Sequence, residues 1–313
     1  MGKALLKRVL LLIGTLLLVT VLAFLAFSVI PGDPTGSILG MEATEEQIAT
    51  LRAQLGLDLP VWQRYWNWLS AFVTGDFGQS YQYNKPVAEL LGDKVAVTLV
   101  LAALSFLLIV VISLPLGLIA ARRPGGAVDR IVTILTQITM SVPNFIMGIG
   151  LMWVFALALK WFRPEYVALK DGLWPHLCYL LLPALAIALP KSAMTVKFLR
   201  GSILGEMGQD YIRTAYSKGN SQGSALWRHV LRNAMIPVVT FLAMVIGDIM
   251  AGSIVIEQVF SIPGLGRMLI SSIGKRDYPV VQAIIVLLAA VVVGCNFLAD
   301  LLYRVMDPRI DGR

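Results

Sequence analysis

The sequence contains few charged residues and almost no cysteine or histidine. Only 14% of its 313 residues are Asp, Glu, Lys or Arg, against about 25% in ordinary soluble domains, so a soluble globular protein is disfavoured. The two cysteines, Cys178 and Cys295, lie in or beside apolar runs and form neither a disulfide framework nor a cysteine metal site. The two histidines, His176 and His229, are too few and too far apart for a metal centre built from this chain alone.

Motifs for nucleotide binding and for catalysis are also lacking. No G-x-x-x-x-G-K-[ST] phosphate loop occurs in the sequence, so the chain has no recognisable means of cradling ATP. Paired carboxylates, a metal triad or a nucleophile with its base do not assemble into a catalytic set. The basic residues are spread along the chain rather than gathered on one aqueous face, which excludes nucleic-acid binding. We therefore expect no catalytic residue, no bound metal and no cofactor held by this chain.

Long apolar runs account for most of the sequence. Hydrophobic residues make up 57% of the chain and the mean hydropathy is +0.76. A helix needs about 20 mainly apolar residues to cross the hydrocarbon core, and unbroken runs favour helices over alternating barrel strands. The sequence predicts an all-α polytopic membrane protein with six spans at approximately 9–30, 96–121, 131–159, 177–199, 235–256 and 280–303.

Three segments follow from these spans: residues 1–30, an outer loop region at 31–95, and a five-helix core at 96–313. The first run could be a cleaved secretory signal, but it is about twice as long as a typical signal core. It also lacks a small-x-small cleavage pattern, so we interpret it as a retained anchor.

The distribution of basic residues predicts the orientation in the membrane. Both termini, the loop at 122–130 and the basic loop at 200–234 fall on one side, and Lys191 and Lys197 are counted there too. This side holds the majority of the lysines and arginines, so both termini are predicted to be cytoplasmic.

The outer loop region carries signals for two short helices. Thr44-Glu45-Glu46-Gln47 is a capping box, and an apolar stripe continues at helical spacing until Gly56. After Pro60, a second helix places Trp62, Tyr65, Trp66 and Leu69 on one face. This face suits an anchor at the membrane surface or a contact with an external partner.

The basic loop is a long polar interruption between two apolar runs. A helical pattern over 211–218 stops at Gly219-Asn220-Ser221 and resumes over 224–235, which predicts two short helices with a bend. Thr214, Ala215 and Gly219 would leave a shallow face for another protein, with basic residues around it. A plain cytoplasmic connector explains the same composition, and the residues alone do not separate the two interpretations.

A resemblance separates them. Arg213-Thr214-Ala215-x-x-x-Gly219, followed by Arg228-His229-x-x-Arg232-Asn233-Ala234-x-x-Pro237, resembles the "EAA" loop of bacterial ABC-importer permeases of the peptide/nickel group. Further strings resemble that family in the same order, and together they cover essentially the whole chain: Ile30-Pro31-Gly32-Asp33-Pro34, Leu55-Gly56-Leu57-Asp58, Gly75-Asp76-Phe77-Gly78-Gln79-Ser80, Pro263-Gly264-Leu265-Gly266, Arg276-Asp277-Tyr278-Pro279-Val280-Val281-Gln282 and Asp307-Pro308-Arg309-Ile310. Arg213 stands where the general pattern has Glu, and Pro237 lies farther from Gly219 than usual; both features resemble the peptide/nickel subgroup.

The resemblance implies a permease subunit of an ATP-driven importer in the bacterial cytoplasmic membrane. Its expected partners are a second related permease, two cytoplasmic ATP-binding subunits that carry ATP and Mg, an extracytoplasmic solute-binding protein, and membrane lipid. The residues it assigns to ATPase coupling are Arg213, Thr214, Ala215, Gly219, Arg228, His229, Arg232, Asn233 and Pro237. Short peptides are the expected substrate, with nickel or a metal chelate as the alternative.

Candidate pathway residues lie in the third and fifth spans. Asp248 falls mid-span, where a charge costs about 2.5–3.5 kcal/mol, so it should face protein or water as a pathway carboxylate or in an interhelical hydrogen bond. Glu257 lies nearer the end of that span and is expected to reach water. Pro143 predicts a kink in the third span, where Ser141 and Asn144 either meet solute or pack against helices.

Other function classes remain open on sequence alone. An ion-coupled secondary transporter would be expected to show repeated halves and several coupling charges, whereas this chain has one central carboxylate and no internal repeat. A membrane-embedded enzyme would need the catalytic set that is lacking. A scaffold subunit would leave the basic loop without a purpose.

Overall fold

The computed structural model of the chain is helical throughout its described part, which comprises residues 2–29, 35, 39, 43–54 and 56–306. Within those ranges the only extended pairing is an isolated antiparallel bridge between Gln79 and Pro86. The all-α prediction is confirmed. The strings at 30–34 and 307–310 and residue Leu55, on which part of the family resemblance rests, lie outside the described residues.

Twelve α-helices occur in the described ranges. They are α1 (Gly2–Val29), α2 (Glu45–Gln54), α3 (Val61–Val73), α4 (Val87–Arg122), α5 (Ala127–Ser141), α6 (Asn144–Leu151), α7 (Leu173–Met207), α8 (Asp210–Ser217), α9 (Gln222–Ala225), α10 (Leu231–Val259), α11 (Leu265–Gly274) and α12 (Tyr278–Met306). Two π-helical turns extend them, Met152–Ala158 after α6 and Leu226–Val230 before α10, and a 3₁₀ turn covers Leu169–Asp171.

In the part of the chain that the structure describes, five helices are long and apolar enough to cross a membrane. They cover Leu6–Ser28, Val87–Arg122, Leu173–Met207, Gly223–Val259 and Tyr278–Leu301. The bent pair Ala127–Ser141 and Asn144–Ala158 makes a sixth if it is counted as one span. The chain is therefore a multi-pass membrane protein, and the predicted six spans match when the third is a broken one.

The break in the third span is sharper than the predicted kink. The helices on either side of it meet at 100°, and Val142 between them is extended, with φ −93° and ψ 121°. Proline restricts the preceding residue to extended conformations and supplies no N–H to the helix ladder. Pro143 therefore ends α5, and its carbonyl accepts a hydrogen bond from the Met147 N–H at 3.0 Å as α6 begins.

Packing divides the chain into two compact units, residues 1–98 with 263–294, and residues 99–262 with 295–313. The segment boundaries drawn from the sequence at residues 30 and 95 follow membrane topology rather than packing and stay a prediction.

In the first unit, the two predicted outer helices are α2 and α3. The capping box forms as expected, since Gln47 N–H donates to Thr44 Oγ1 at 3.3 Å and Thr44 N–H donates to Gln47 Oε1 at 3.0 Å. The aromatic stripe of α3 is divided: Tyr65 packs edge-on against Phe24 of α1, with ring centroids 5.5 Å apart, while Trp62 and Trp66 are exposed, as a membrane-surface anchor requires.

A buried carboxylate fixes the connection between α3 and α4 in the same unit. Asp277, fully buried, accepts hydrogen bonds from Ser80 Oγ at 2.5 Å and from the Tyr81 N–H at 3.0 Å. Two charge-assisted bonds of this kind hold the 79–86 turn against the residues that precede α12.

The core of the second unit is α7. Helices α5, α6 and α10 pack against it, and its largest fully buried side chains are Leu180, Ile187, Leu199 and Ile203. Gly117 of α4 lets that helix come close, because a Cβ there would lie 2.7 Å from Leu199 Cδ2. Small residues at helix contacts are the usual means of tight packing in membranes.

The basic loop follows the prediction in its first half only. Helix α8 matches the first predicted helix, and Gly219 ends it with φ +84°, a conformation that glycine adopts without a steric penalty. The second predicted helix is not separate, because the chain is helical without a break from Gly223 to Val259. The 224–235 pattern is the N-terminal part of the fifth span, which begins about three turns earlier than expected.

Candidate functional site

A cavity of about 460 Å³ lies in the second unit, beside the break in the third span. Three parts of the chain form its wall, and the lining residues are mostly apolar: Met140, Val142, Pro143 and Asn144 at the break, Ile187, Pro190, Lys191 and Met194 on α7, and Asp248, Ala251, Gly252 and Val255 on α10. The α5–α6 break therefore meets the middle of α7 and the C-terminal half of α10.

An ion pair joins α7 to α10 across this cavity. Lys191 Nζ lies 2.6 Å from Asp248 Oδ2, and the two side chains are 25% and 53% exposed. The interhelical hydrogen bond considered for Asp248 is thus present, and the same carboxylate also faces the cavity. A charge at mid-span is tolerated because Lys191 pairs with it. Whether Asp248 acts in a pathway stays a prediction.

The partner of Asp248 was counted among the basic residues of the cytoplasmic side. Lys191 lies near the middle of α7 and lines the cavity, and the side of the membrane that it faces stays a prediction. Topology rules assume that basic residues near an apolar run flank it. They do not detect a lysine that is neutralised 57 positions away along the chain.

Asn144 stands at the first residue of α6 and lines the cavity next to Gly252. A Cβ on Gly252 would lie 2.9 Å from Asn144 Nδ2, so the absent side chain is what lets the asparagine amide approach α10. One turn farther along α6, a Cβ on Gly148 would lie 3.1 Å from Ile256 Cδ1. The two glycines bring α6 and α10 together directly beside the ion pair.

Two of the predicted pathway residues are not at the cavity. Ser141 is exposed and donates to the Ile138 carbonyl at 2.7 Å, a local bond at the end of α5. Glu257 was expected to reach water and is instead fully buried, which corrects that prediction. It lies more than two turns beyond Asp248 on α10 and faces inward, because burial depends on which neighbours cover a helix end as well as on its distance from the membrane surface.

Helix α8 presents one apolar face to the protein and one polar face outward. Ile212 and Ala215 are buried, whereas Arg213 and Thr214 are exposed. Ala215 therefore belongs to the packed face and not to the open shallow face predicted for it. The ion pair of Arg213 with Asp210, 3.5 Å long between side chains 78% and 95% exposed, is of the surface kind that contributes little.

The remaining residues of the basic loop are outward-facing. Arg228, His229, Arg232 and Asn233 are exposed on the helix that enters the fifth span, and Pro237 is also exposed within α10. Apart from Ala215, each of the predicted loop residues is exposed. Their role in ATPase coupling stays a prediction.

Hydrogen bonds tie the basic loop to α7 and α10. Ser202 Oγ on α7 donates to the Ala234 carbonyl at 2.8 Å. The Tyr211 hydroxyl donates to Glu206 at 2.5 Å and accepts from Asn233 Nδ2 at 3.0 Å. Burial and the bond to the Glu206 carboxylate raise the pKa of Tyr211, so this hydroxyl stays protonated and able to donate at neutral pH.

A second ion pair escaped the sequence analysis. Asp129 on α5 accepts hydrogen bonds from Arg200 Nε at 2.5 Å and Arg200 Nη2 at 2.8 Å, and from the Gly125 N–H at 2.8 Å. This fork-to-carboxylate arrangement is the strongest geometry for such a pair. It joins the start of the broken span to α7, two residues before Ser202. In the sequence, the one signal for this ion pair is the acidic Asp129 in the predicted loop at 122–130.

Comparison with known proteins accounts for the whole chain. The family model described as "Binding-protein-dependent transport system inner membrane component" matches residues 113–312, and "Binding-prot-dependent transport system membrane comp, N-term" matches residues 1–102.

Curated relatives match from end to end. The chain is 35% identical over 311 residues to the "Probable peptide ABC transporter permease protein y4tP" of Sinorhizobium fredii, covering 99% of each chain. It is 35% identical over 315 residues to the "Oligopeptide transport system permease protein AppB" of Bacillus subtilis, covering 99% of this chain and 100% of AppB. It is 39% identical over 304 residues to the "Glutathione transport system permease protein GsiC" of Escherichia coli, covering 97% of each.

A multi-pass helical fold, a broken third span and end-to-end similarity to named permeases agree with the resemblance drawn from the loop motifs. The chain belongs to the family of binding-protein-dependent transport system inner membrane components, the permeases of ABC transporters.

Proposed function

We propose that this chain is the membrane-spanning subunit of an ATP-driven importer of short peptides, working by alternating access. The named relatives are permeases of peptide, oligopeptide and glutathione systems, and all three names refer to peptidic solutes. They favour a peptide over nickel or a metal chelate.

The observation that carries this proposal is the attachment of the basic loop to the helices that line the cavity. Helix α8 is anchored by Ile212 and Ala215 and tied through Tyr211 to Asn233. Ser202 then joins α7 to the Ala234 carbonyl. A partner pressing on the exposed face of α8 would move α7 and α10 together, and those helices carry Lys191 and Asp248.

Energy comes from separate subunits in this proposal. Two cytoplasmic ATPases, which bind ATP and Mg, dock on the basic loop, and their closure on ATP shifts the permease between outward and inward access. A second permease subunit completes the pathway, and an extracytoplasmic binding protein delivers the peptide. The protein lies in the bacterial cytoplasmic membrane with both termini in the cytoplasm.

The composition of the native complex tests this proposal. The chain is tagged, extracted in mild detergent from its native membrane, and its co-purifying proteins are identified by mass spectrometry. We expect ATP-binding subunits and a sibling permease. A clean, self-associated chain would contradict the proposal and favour an ion-coupled transporter instead.

The dependence on the basic loop is tested in the same preparation. Charge reversal at Arg213 should reduce recovery of the ATPases while leaving membrane insertion intact, because Arg213 is exposed and its pair with Asp210 contributes little to the fold. Lys197→Met, which removes an exposed charge on α7 outside the basic loop, is the control and should leave recovery unchanged.

A further inference from the structure

The cavity wall carries one cation and one carboxylate, and the rest of its lining apart from Asn144 is apolar. We propose that Lys191 and Asp248 recognise the two charged ends of a zwitterionic solute, Lys191 taking the carboxylate and Asp248 the ammonium. This inference rests on the proposed function, because it assigns the peptide termini to two residues of the same pathway.

Accessibility separates this pair from a merely structural one. Asp248 is 53% exposed although it lies mid-span, and Lys191 keeps a quarter of its surface open. By contrast, the Asp129 carboxylate of the other ion pair is only 5% exposed and is held by three hydrogen bonds. Within the described part of the chain, one hydrogen bond joins Lys191 to Asp248, so the ammonium keeps donors and the carboxylate keeps an acceptor for a ligand.

The rest of the cavity suits a peptide of variable side chains. Its volume of about 460 Å³ falls within the range of small-molecule sites, about 300–1,000 Å³. Met140, Met194 and Val255 offer apolar contacts without directional demands. Asn144 adds an amide that can both donate to and accept from a peptide bond.

Exchange of partners explains how such a site would release its cargo. Binding a zwitterion replaces one internal ion pair by two intermolecular ones, and departure restores the internal pair. Neither state leaves an unpaired charge in the membrane, which would be costly. Binding gains only the difference between the two new pairs and the internal pair that breaks, so the site is weak, as a transport site must be for the solute to leave as readily as it enters.

Neutralising both members separates recognition from packing. When an ion pair only holds helices together, replacing both partners by neutral groups of similar shape is close to neutral. Lys191→Met combined with Asp248→Asn should instead reduce uptake of a free dipeptide about ten- to hundredfold. This is the factor expected from a net loss of one charge-assisted hydrogen bond, because two intermolecular bonds are lost and the internal pair no longer has to break. Uptake is measured in proteoliposomes of the complete importer with its loaded binding protein.

Single variants identify which end each residue binds. Lys191→Met should lower the ratio of uptake of the free dipeptide to uptake of its C-terminal amide about tenfold. Asp248→Asn should lower the ratio of uptake of the free dipeptide to uptake of its N-acetyl form by a similar factor. The same binding protein is used throughout, so its own preference cancels in each ratio. Lys197→Met, an exposed lysine on α7 outside the cavity, should leave both ratios unchanged.

The outcomes are distinct from those that test the proposed function. Native-level uptake by the double variant would overturn the recognition role, as would equal loss for free and blocked peptides in the single variants. Absence of ATP-dependent peptide uptake by the unaltered complex would instead refute the proposed function itself.

Discussion

The Asp129–Arg200 pair gives a prediction whose size follows from its geometry. Arg200→Met removes both guanidinium bonds to Asp129 and leaves the bond from the Gly125 N–H. Breaking a fully buried pair costs about 3–5 kcal/mol because the remaining charge is uncompensated. Asp129 is 5% exposed but Arg200 is 30% exposed, so water reduces this cost and we expect about 2–3 kcal/mol.

Two further variants measure separate contributions to the same interaction. Arg200→Lys keeps the charge but loses the fork, so about 1–1.5 kcal/mol should be lost. Adding Asp129→Asn to Arg200→Met removes the stranded charge and should recover part of the stability. The resulting coupling energy between the two positions should be about 1.5–2 kcal/mol, within the range found for residues in direct contact.

The assay is reversible unfolding of the purified chain in mixed micelles by increasing detergent denaturant, with helix content followed by circular dichroism. Arg130→Met, which removes an exposed arginine on α5, is the matched control and should shift stability by less than about 0.5 kcal/mol. A coupling energy below about 0.5 kcal/mol would refute the reasoning, because the pair would then be no stronger than a surface contact.

Three other substitutions test single features of the structure. Gly219→Ala should destabilise the end of α8 by about 1 kcal/mol, because φ is +84° there. The control is Gly223→Ala, at a helical glycine with open space around its Cβ position, which should leave α8 unchanged. Hydrogen exchange of the α8 amides measures the difference between the two variants. Gly252→Ala should displace the Asn144 amide, since the new Cβ would lie 2.9 Å from Asn144 Nδ2, and slow uptake without loss of assembly. Asp277→Asn leaves one acceptor oxygen where the carboxylate uses two, so the attachment of the 79–86 turn should lose about 2 kcal/mol of stability. Proteolysis of that turn should become faster. Unchanged proteolysis would show that Asp277 does not hold the turn in place.

Local signals predicted the helices well. Run length and apolarity located every span, the capping box at Thr44 marked the start of α2, and Pro143 located the break. These features depend on residues within a turn or two of one another, where backbone geometry and capping act. The size of the bend and the fusion of the second loop helix with α10 depend on packing and were not predicted.

The ion pairs of the site could not be predicted from the sequence, because they join residues that are far apart in the chain. Lys191 and Asp248 are 57 positions apart, and Asp129 and Arg200 are 71 apart. Each charge alone indicates only that a partner or water is needed. The burial of Glu257 and Ala215 likewise depends on neighbouring helices, so a single sequence gives the type of side chain at the site but not its companions.

We propose that ATP hydrolysis by partner subunits drives a peptide through this permease. The most direct test is uptake of a labelled dipeptide into proteoliposomes containing the purified complex, with the binding protein outside in the delivery orientation and ATP inside. Uptake should require both ATP and binding protein and should persist when ion gradients are collapsed. Uptake that continues without ATP and stops when an ion gradient is removed would contradict the account and make this chain an ion-coupled carrier.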